Sequence, residues 1–380
     1  MKQIYINPFL LTGYESPEYF CNRKTETEKL INAFRNGRNV TLISPRRMGK
    51  TGLIHHVFNL LAGAKDTTCI YIDIYHTNSL CDFVKLFANT VMGSVDTKSQ
   101  KVISKIFSFF KSIRPALVAD NVSGIPKLTV DFAPSQSEES LKEIFDYLSK
   151  SGKMCLIAID EFQQITNYGE KGIEALLRSY VQQINNVRFI FSGSQKHIME
   201  SLFTSASRPF YQSAQMLQLA EINKEEYRKF AAKLFSKAGK IINSDIFAVI
   251  YSKVNGHTWY VQMILNRLFS LANKEYDISV AEKILTEIIM ENEATYQTYC
   301  KLITEKQLSL LKAIAAENTI AKPTSNIFID KYKLGAASSI KTALTSLLDK
   351  ELIFENNGNY RVYDCFFSLW LSKIKIQLMK

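Results

Sequence analysis

The sequence predicts an α/β fold in which a parallel central sheet is followed by a small helical domain and a C-terminal winged helix. Three observations favour this architecture. Short apolar runs alternate with helical stretches in the first half of the chain, helical patterns alone follow from about residue 215, and the last part combines helices with a hairpin signal. We expect three domains, which cover residues 1–215, 216–300 and 301–380.

The predicted strands of the first part are nearly continuous apolar runs. Such runs are typical of strands that helices bury on both faces, as in a parallel sheet. A helix is predicted over Lys50–Leu61, soon after the first run. The runs cover residues 39–44, 68–75, 154–160 and 187–192.

Residues 114–134 interrupt this alternation. Gly, Pro, Asp and Asn separate two short extended pieces in this segment. The pattern indicates a hairpin insertion outside the central sheet.

The C-terminal part is predicted to be helical until its last hairpin. Thr304 and Gln307 have the spacing of a capping box, which places the start of the first winged-helix helix. Two further helices, over residues 326–332 and 337–348, precede two short strands joined by an Asn-Gly turn. The predicted helices of the small helical domain cover residues 225–237, 244–253, 259–272 and 280–299.

Composition narrows the class of protein. No window of about 20 uncharged apolar residues occurs, and the first residues lack the layout of a signal peptide, so we expect a cytoplasmic protein without membrane contact. The six cysteines show no metal-binding spacing, and we expect them to be reduced. The formal net charge of +11 favours an acidic partner such as nucleic acid, but the lysines are dispersed, which equally fits a basic surface without a DNA role.

The strongest chemical signal is the segment SPRRMGKT between a predicted strand and a predicted helix. This context suits a phosphate-binding loop, because backbone N–H groups and the helix N-terminus then face one anion. Gly49 lets the backbone approach the phosphates, Lys50 places a positive charge at the β- and γ-phosphates of ATP, and Thr51 supplies a hydroxyl ligand to Mg²⁺. The predicted nucleotide-binding residues of this segment are Ser44, Pro45, Arg46, Arg47, Met48, Gly49, Lys50, Thr51 and Gly52.

Two features of this segment leave alternatives open. The usual loop pattern begins with glycine, and Ser44 stands in that position. Arg46 and Arg47 either clamp phosphates, reach an acidic partner, or pair with surface acids.

A second signal is the apolar strand CLIAIDEFQQI, which reaches Asp160 and Glu161. The first carboxylate at such a strand end can hold Mg²⁺ through water, and the second can orient and polarise the attacking water. The alternative is a strand that ends in solvated acids. The phosphate-loop pattern upstream favours the catalytic interpretation.

Several further positions are candidates with open alternatives. If the strand of Asp73 lies beside the strand of Asp160, its carboxylate approaches the magnesium or water site; otherwise it caps a loop. Ser192 or Ser194, at the end of the fourth strand, can sense the γ-phosphate, and Ser194 can cap the following helix instead of or in addition to this role. Arg208 is a candidate arginine finger, in cis or toward a neighbouring subunit.

At these residues the chain resembles the archaeal-type ATPases of the AAA+/STAND group of P-loop NTPases, in the version widespread in bacteria. The resemblance runs almost from end to end. It implies an ATPase core with an additional-strand sheet, a helical lid and a winged helix. The motifs that carry it are NPF, YFCNRKTETEKL, SPRRMGKT, YIDIY, AIDEFQ, FSGS, RPFYQSA, NGHTWYVQMI and YRVYDCFFSLWL.

The same resemblance implies further nucleotide contacts. Phe20, Asn22 and Arg23 are expected near the adenine, and the lid motif around His257 is expected to close over it. Two residues depart from the family pattern. Thr258 stands where related proteins often have Pro, and Ser213 stands where many archaeal members have Arg, which leaves Arg208 as the substitute finger.

Two functions from different classes fit this sequence. In the first, ATP binding and slow, Mg²⁺-dependent hydrolysis to ADP switch a grip on DNA, with residues 337–348 in a major groove. In the second, the winged helix mediates protein interaction or autoinhibition in a nucleotide-dependent signalling switch, and the partner is another protein or a second copy of the chain. A kinase is a third alternative, for which no acceptor-binding motif is evident. The side chains assigned to the DNA interface are Ser338, Ser339, Lys341, Thr342 and Thr345, with Lys331, Lys333, Lys350 and Arg361 nearby.

Overall fold

The computed structural model describes residues 7–64, 66–94, 109–119, 126–356 and 358–377. They form two compact units. The N-terminal unit is Thr12–Glu221, and the C-terminal unit joins residues 7–11 to the described chain from Ile222 onward. The division into three domains predicted above remains a prediction. Within the described stretches, no helix combines the length and the apolar character needed to cross a membrane.

The N-terminal unit alternates strands and helices along the chain. Its described strands are β1 (Val40–Ile43), β2 (Thr67–Asp73), β3 (Arg114–Ala119), β4 (Pro126–Asp131), β5 (Met154–Asp160), β6 (Val187–Gly193) and β7 (Gln215–Gln218). Its described α-helices are α1 (Lys24–Arg35), α2 (Lys50–Leu61), α3 (Leu80–Gly93), α4 (Ser137–Lys150), α5 (Ile173–Gln183) and α6 (Lys196–Thr204).

Five of these strands form a parallel sheet in the order β2-β5-β6-β1-β7. Strand β6 lies between β1 and β5, which confirms the predicted additional-strand type of P-loop fold. The register pairs Asp73 with Asp160 and Ile43 with Gly193. The carboxyl ends of β1, β2, β5 and β6 therefore meet at one edge of the sheet, which is where open α/β sheets bind their ligands.

Both faces of the sheet are buried, as the apolar runs predict. Ile157 and Ile159 belong to a core with residues of α3, α4 and α5 on one face. Leu156 and Ala158 belong to a second core with residues of α1 and α2. Because alternate residues of a strand share a face, Asp160 follows Ala158 on the side of α2.

The predicted insertion is an antiparallel hairpin of β3 and β4, separate from the central sheet. Its second strand is attached to α3 by polar contacts. The Lys85 ammonium lies 2.9 Å from a carboxylate oxygen of Asp131, and the side-chain oxygen of Asn89 accepts the backbone N–H of Val130.

The C-terminal unit is mainly helical. One predicted lid helix, residues 280–299, is wrong: the structure has two helices separated at Asn292, whose φ of −99° and ψ of 0° leave the helical region. The Asn292 side chain donates to the carbonyl of Ile288, so it satisfies one carbonyl at the end of the first helix. The helix predicted over 259–272 ends earlier, at Ser270. The described lid helices are α7 (Lys224–Lys237), α8 (Ser244–Lys253), α9 (Thr258–Ser270), α10 (Ile278–Glu291) and α11 (Glu293–Lys301).

The winged helix has the predicted order of elements. The capping box is present, because the Thr304 hydroxyl oxygen accepts the Gln307 N–H at 3.3 Å and the Gln307 side chain accepts the Thr304 N–H at 3.0 Å. Strands β8 and β9 pair antiparallel as the wing. The elements are α12 (Glu305–Glu317), α13 (Asn326–Tyr332), α14 (Ala337–Asp349), β8 (Ile353–Asn356), β9 (Asn359–Val362) and α15 (Cys365–Gln377).

Candidate functional site

The predicted phosphate loop connects β1 to α2. Gly49 directly precedes α2 with a φ of +94°, a left-handed conformation that glycine adopts without the strain of a side chain. The loop folds over Lys50, whose ammonium donates to the carbonyls of Ser44 at 2.9 Å and Pro45 at 3.3 Å. Burial lowers the pKa of Lys50, and the negative charges of Glu161 and Asp160 oppose that shift. The lysine therefore supplies a buried positive charge at the start of α2.

The middle of the loop differs in exposure from residue to residue. Arg47 is exposed and left-handed, with a φ of 65°, whereas Met48 is buried. The guanidinium of Arg46 lies 5.9 Å from the ring centre of Tyr75. The structure thus places both arginines on the loop itself.

The Arg23 side chain is hydrogen-bonded to the backbone of this loop. Its buried guanidinium donates to the Met48 carbonyl at 3.0 Å and the Ala220 carbonyl at 2.7 Å, and it forms an ion pair with Glu26 at 3.1 Å. Asn22 and Arg23 are consecutive left-handed residues, with φ of 49° and 56°. For non-glycine residues this conformation is uncommon and indicates a tightly determined turn.

Phe20 lies beside the first turn of α2. Its ring stacks on His56 at a centre-to-centre distance of 4.4 Å. A Cβ added at Gly52 would meet that ring at 3.4 Å, so the glycine makes room for Phe20. In the same unit, Tyr14, Thr51 and His55 contribute to the lining of an open cavity of about 700 Å³.

Asp160 accepts three hydrogen bonds at the end of β5. One carboxylate oxygen, Oδ2, accepts the hydroxyls of Thr51 and Tyr71, each at 2.8 Å. The other, Oδ1, accepts the backbone N–H of Glu161 at 3.1 Å. A hydroxyl oxygen beside a buried carboxylate is a hard donor set, so Thr51 and Asp160 fit Mg²⁺.

Glu161 is held by two polar side chains. Its Oε2 accepts the Ser194 hydroxyl at 2.8 Å and the side-chain amide of Gln163. The backbone of Glu161 is left-handed, with a φ of 54°. The helix α6 begins at Lys196, and its N-cap residue is Gln195 and not Ser194. The alternative that Ser194 merely caps this helix is therefore wrong.

Two other predicted residues occupy neighbouring strands. Asp73 is the register partner of Asp160, so its strand does lie beside β5. Its carboxylate also accepts the Tyr75 N–H at 2.9 Å, as a loop cap does. Desolvation raises the pKa of Asp73, the Tyr75 N–H opposes that shift, and the charges of Asp160 and Glu161 add to it. Ser192 is fully buried, and its hydroxyl has no hydrogen-bond partner in the described part of the chain, whereas the Ser194 hydroxyl donates to Glu161.

The structure gives Arg208 and His257 other surroundings. Arg208 forms an ion pair with Glu174 at 2.9 Å. Burial raises the pKa of Glu174, against the effect of the Arg208 charge. His257 belongs to the C-terminal unit, where it is buried next to the Tyr260 ring at the start of α9.

Two residues of this site, Tyr71 and Gln163, are not among the residues predicted from the sequence. Tyr71 lies two residues before Asp73, so strand alternation places both side chains on one face of β2. Only the pairing of β2 with β5 puts that face beside Asp160. Burial and the Asp160 charge raise the pKa of Tyr71, so its hydroxyl keeps its proton. Gln163 follows Glu161 in a short 3-10 helix, and no periodic pattern identifies its contact.

Two protein-family models match this chain. Residues 20–264 match the model of a family described as "ATPase domain predominantly from Archaea". The chain belongs to this family. Residues 294–373 match a model described as "Probable winged helix domain". The protein therefore has an ATPase domain of the P-loop fold followed by a winged helix, as the sequence resemblance implies.

Solved structures agree on the fold. A Walker-type ATPase from Pyrococcus abyssi is similar over 96% of this chain and 99% of its own, with a TM-score of 0.67 and 18% identity. The ORC2 protein of Aeropyrum pernix, solved with ADPNP and ADP, covers 98% of both chains with a TM-score of 0.57 and 14% identity. The ORC1 protein of the same organism, in complex with DNA, covers 95% of both chains with a TM-score of 0.51 and 12% identity. No curated protein matches the sequence.

Proposed function

We propose that this chain is a nucleotide-dependent switch that hydrolyses ATP slowly and with Mg²⁺. Lys50 binds the β- and γ-phosphates, and Thr51 and Asp160 are the protein ligands of Mg²⁺. Glu161 orients and polarises the attacking water. The observation that supports this proposal best is the 2.8 Å hydrogen bond from Thr51 to Asp160, which joins the phosphate loop to the acidic motif at the end of β5.

The remaining site residues receive supporting roles in this proposal. The rest of the loop, Ser44–Gly52, binds phosphates through its backbone, and Phe20, Asn22 and Arg23 shape the adenine end. Ser194 senses the γ-phosphate, and its bond to Glu161 gives that sensor a direct effect on the base. Arg208 acts as an arginine finger once it leaves Glu174. His257, a lid residue, binds the nucleotide.

The decisive experiment compares Lys50→Ala and Glu161→Gln with the wild type in a phosphate-release assay. Both variants lose turnover, and Glu161→Gln retains ATP binding because the amide keeps the shape of the carboxylate but is not a base. Exposed residues of the same type provide controls, Lys171→Ala and Glu139→Gln, which keep wild-type rates. Normal turnover in Glu161→Gln would show that the base is assigned wrongly.

Contacts within the C-terminal unit support a switch in which the lid and the winged helix move together. The side-chain amides of Asn255 and Asn318 exchange two hydrogen bonds, each of 2.8 Å. The Cys365 thiol donates to the Val254 carbonyl, at 3.7 Å. Asn255 directly precedes the lid motif, whereas Asn318 and Cys365 belong to the winged helix. A displacement of the lid motif would therefore pull on the winged helix at two points.

The switch has two alternative readouts, which are DNA binding and protein interaction by the winged helix. For DNA binding, Lys341, Thr342 and Thr345 form an exposed face on α14, and the ORC1 neighbour was solved with DNA. That face carries one basic residue, and phosphate contacts usually need several. Three of the basic residues expected to assist have intramolecular bonds. Lys331 pairs with Glu317, and Lys350 donates to the Leu302 carbonyl. Arg361 donates to the Thr319 hydroxyl oxygen at 2.7 Å.

For protein interaction, the aromatic closing stretch does not offer a surface. Phe366, Phe367 and Leu371 are almost completely buried, so they form the core of the winged helix and not an exposed docking patch. A protein partner or a second copy of the chain would therefore bind elsewhere on the winged helix. The proposal keeps this readout as the alternative to DNA.

The two readouts differ in their dependence on salt. The test is binding to a random DNA duplex with and without ATP, at several salt concentrations. DNA binding through the winged helix gives a steep loss of affinity with salt, which becomes shallower in Lys341→Ala because one phosphate contact is removed. Absence of binding at low salt would eliminate DNA as the readout.

A further inference from the structure

Tyr71 occupies a position on β2 from which it reaches the metal-binding carboxylate of the proposed site. Its register partner on β5 is Ala158, and the partner of Asp73 is Asp160. Alternate residues of a strand share a face, so the Tyr71 side chain lies on the face that carries Asp160. Its hydroxyl donates to Asp160 Oδ2 at 2.8 Å.

The same carboxylate oxygen receives a second hydroxyl from a different element. Thr51, the first-turn residue of α2, donates to Asp160 Oδ2 at 2.8 Å. The last torsion of an aspartate side chain is soft, so a single donor leaves the carboxylate plane poorly determined. Two donors from α2 and β2, together with the Glu161 N–H on Oδ1, determine that plane.

The tyrosine is itself restrained. Its ring lies 4.7 Å from the His55 ring, measured between centres, and it packs against the core formed by α1, α2 and the sheet. A hydroxyl on a packed aromatic ring has little freedom to leave its acceptor. It therefore differs from the Thr51 hydroxyl, which belongs to an exposed residue.

We propose that Tyr71 is a positioning residue of the magnesium site, which holds the Asp160 carboxylate in the orientation that binds Mg²⁺ together with Thr51. This inference rests on the proposed function, because it concerns the metal of Mg·ATP. Groups that orient metal-binding carboxylates typically change metal affinity by about 10–100-fold when they are removed. The ring of Tyr71 serves packing, whereas its hydroxyl serves the metal site.

The variant Tyr71→Phe separates the two roles, because it removes the hydroxyl and keeps the ring. Affinity for a fluorescent ATP analogue is measured by titration in EDTA and then as a function of Mg²⁺ concentration. The affinity in EDTA stays within about twofold of the wild type, and the Mg²⁺ concentration that gives half of the metal-dependent gain rises about tenfold. Titration with Mn²⁺, followed by electron paramagnetic resonance in the presence of ATP, shows the same weakening without any turnover.

Tyr180→Phe is the matched control, because it removes a tyrosine hydroxyl from α5 of the same unit. It leaves the Mg²⁺ dependence unchanged. If Tyr71→Phe has the Mg²⁺ dependence of the wild type, or weakens binding equally in EDTA and Mg²⁺, the positioning role is refuted.

The same titration distinguishes this inference from the function on which it rests. A wild-type protein that binds no ATP analogue with Mg²⁺ present contradicts the proposed function. A wild type with metal-dependent binding and an unaffected Tyr71→Phe variant contradicts only the role of Tyr71.

Discussion

Gly193, the last residue of β6, provides a direct test of how the proposed base is held. A Cβ at this position would lie 2.4 Å from the Gln163 side-chain oxygen and 2.6 Å from both Cγ and Sδ of Met199. Met199 is completely buried in the core, so it has little room to retreat. The substitution Gly193→Ala therefore displaces Gln163, which in turn withdraws its amide from Glu161.

The expected magnitudes follow from these contacts. One methyl group inserted into a packed site costs about 1–3 kcal/mol of unfolding free energy. For a unit of this size, each kcal/mol lowers the melting temperature by about 2–4 °C. A hydrogen bond to a charged group contributes about 1.5–3 kcal/mol, so its loss in the transition state lowers kcat by about 10–100-fold.

Urea denaturation and a phosphate-release assay measure the two effects. Gly169→Ala is the control, because a Cβ there meets no atom within 4 Å. The control keeps the stability and the turnover of the wild type. If Gly193→Ala is as stable and as active as Gly169→Ala, the packing of Gln163 does not hold Glu161, and the reasoning fails.

Two further predictions concern Arg23 and the lid. Arg23→Lys loses the paired donation to the Met48 and Ala220 carbonyls, so ATP affinity measured by titration falls about tenfold. The exposed control Arg35→Lys keeps the wild-type affinity. Equal affinity in the two variants would contradict a supporting role for Arg23. Asn255→Gly and Asn318→Gly each remove the reciprocal amide pair while tolerating the left-handed backbone, with φ of 53° and 60°. A double-mutant cycle in urea gives a coupling energy of about 0.5–1.5 kcal/mol, and a value near zero would show that the pair does not join the lid to the winged helix.

Local patterns predicted most of the fold. The apolar runs identified four of the five strands in the central sheet, because burial on both faces leaves a continuous signal. Strand β7 escaped prediction: three of its four residues, Gln215, Met216 and Gln218, are exposed, so it carries little apolar signal. The division of one predicted helix at Asn292 was also missed, because asparagine is tolerated inside helices and only the packing of α10 and α11 shows where the helix ends.

The sequence by itself determined the chemistry at the ends of the strands. A glycine, a lysine and a threonine between a strand and a helix, and two acids after another strand, depend on neighbours along the chain, so they can be read locally. The tertiary structure decided which of these residues meet. Tyr71 reaches Asp160 because β2 pairs with β5, and Ser194 reaches Glu161 because β6 follows β5 in the sheet. The strand order depends on hydrogen bonds and core packing between segments far apart in the chain, and a local pattern carries no record of them.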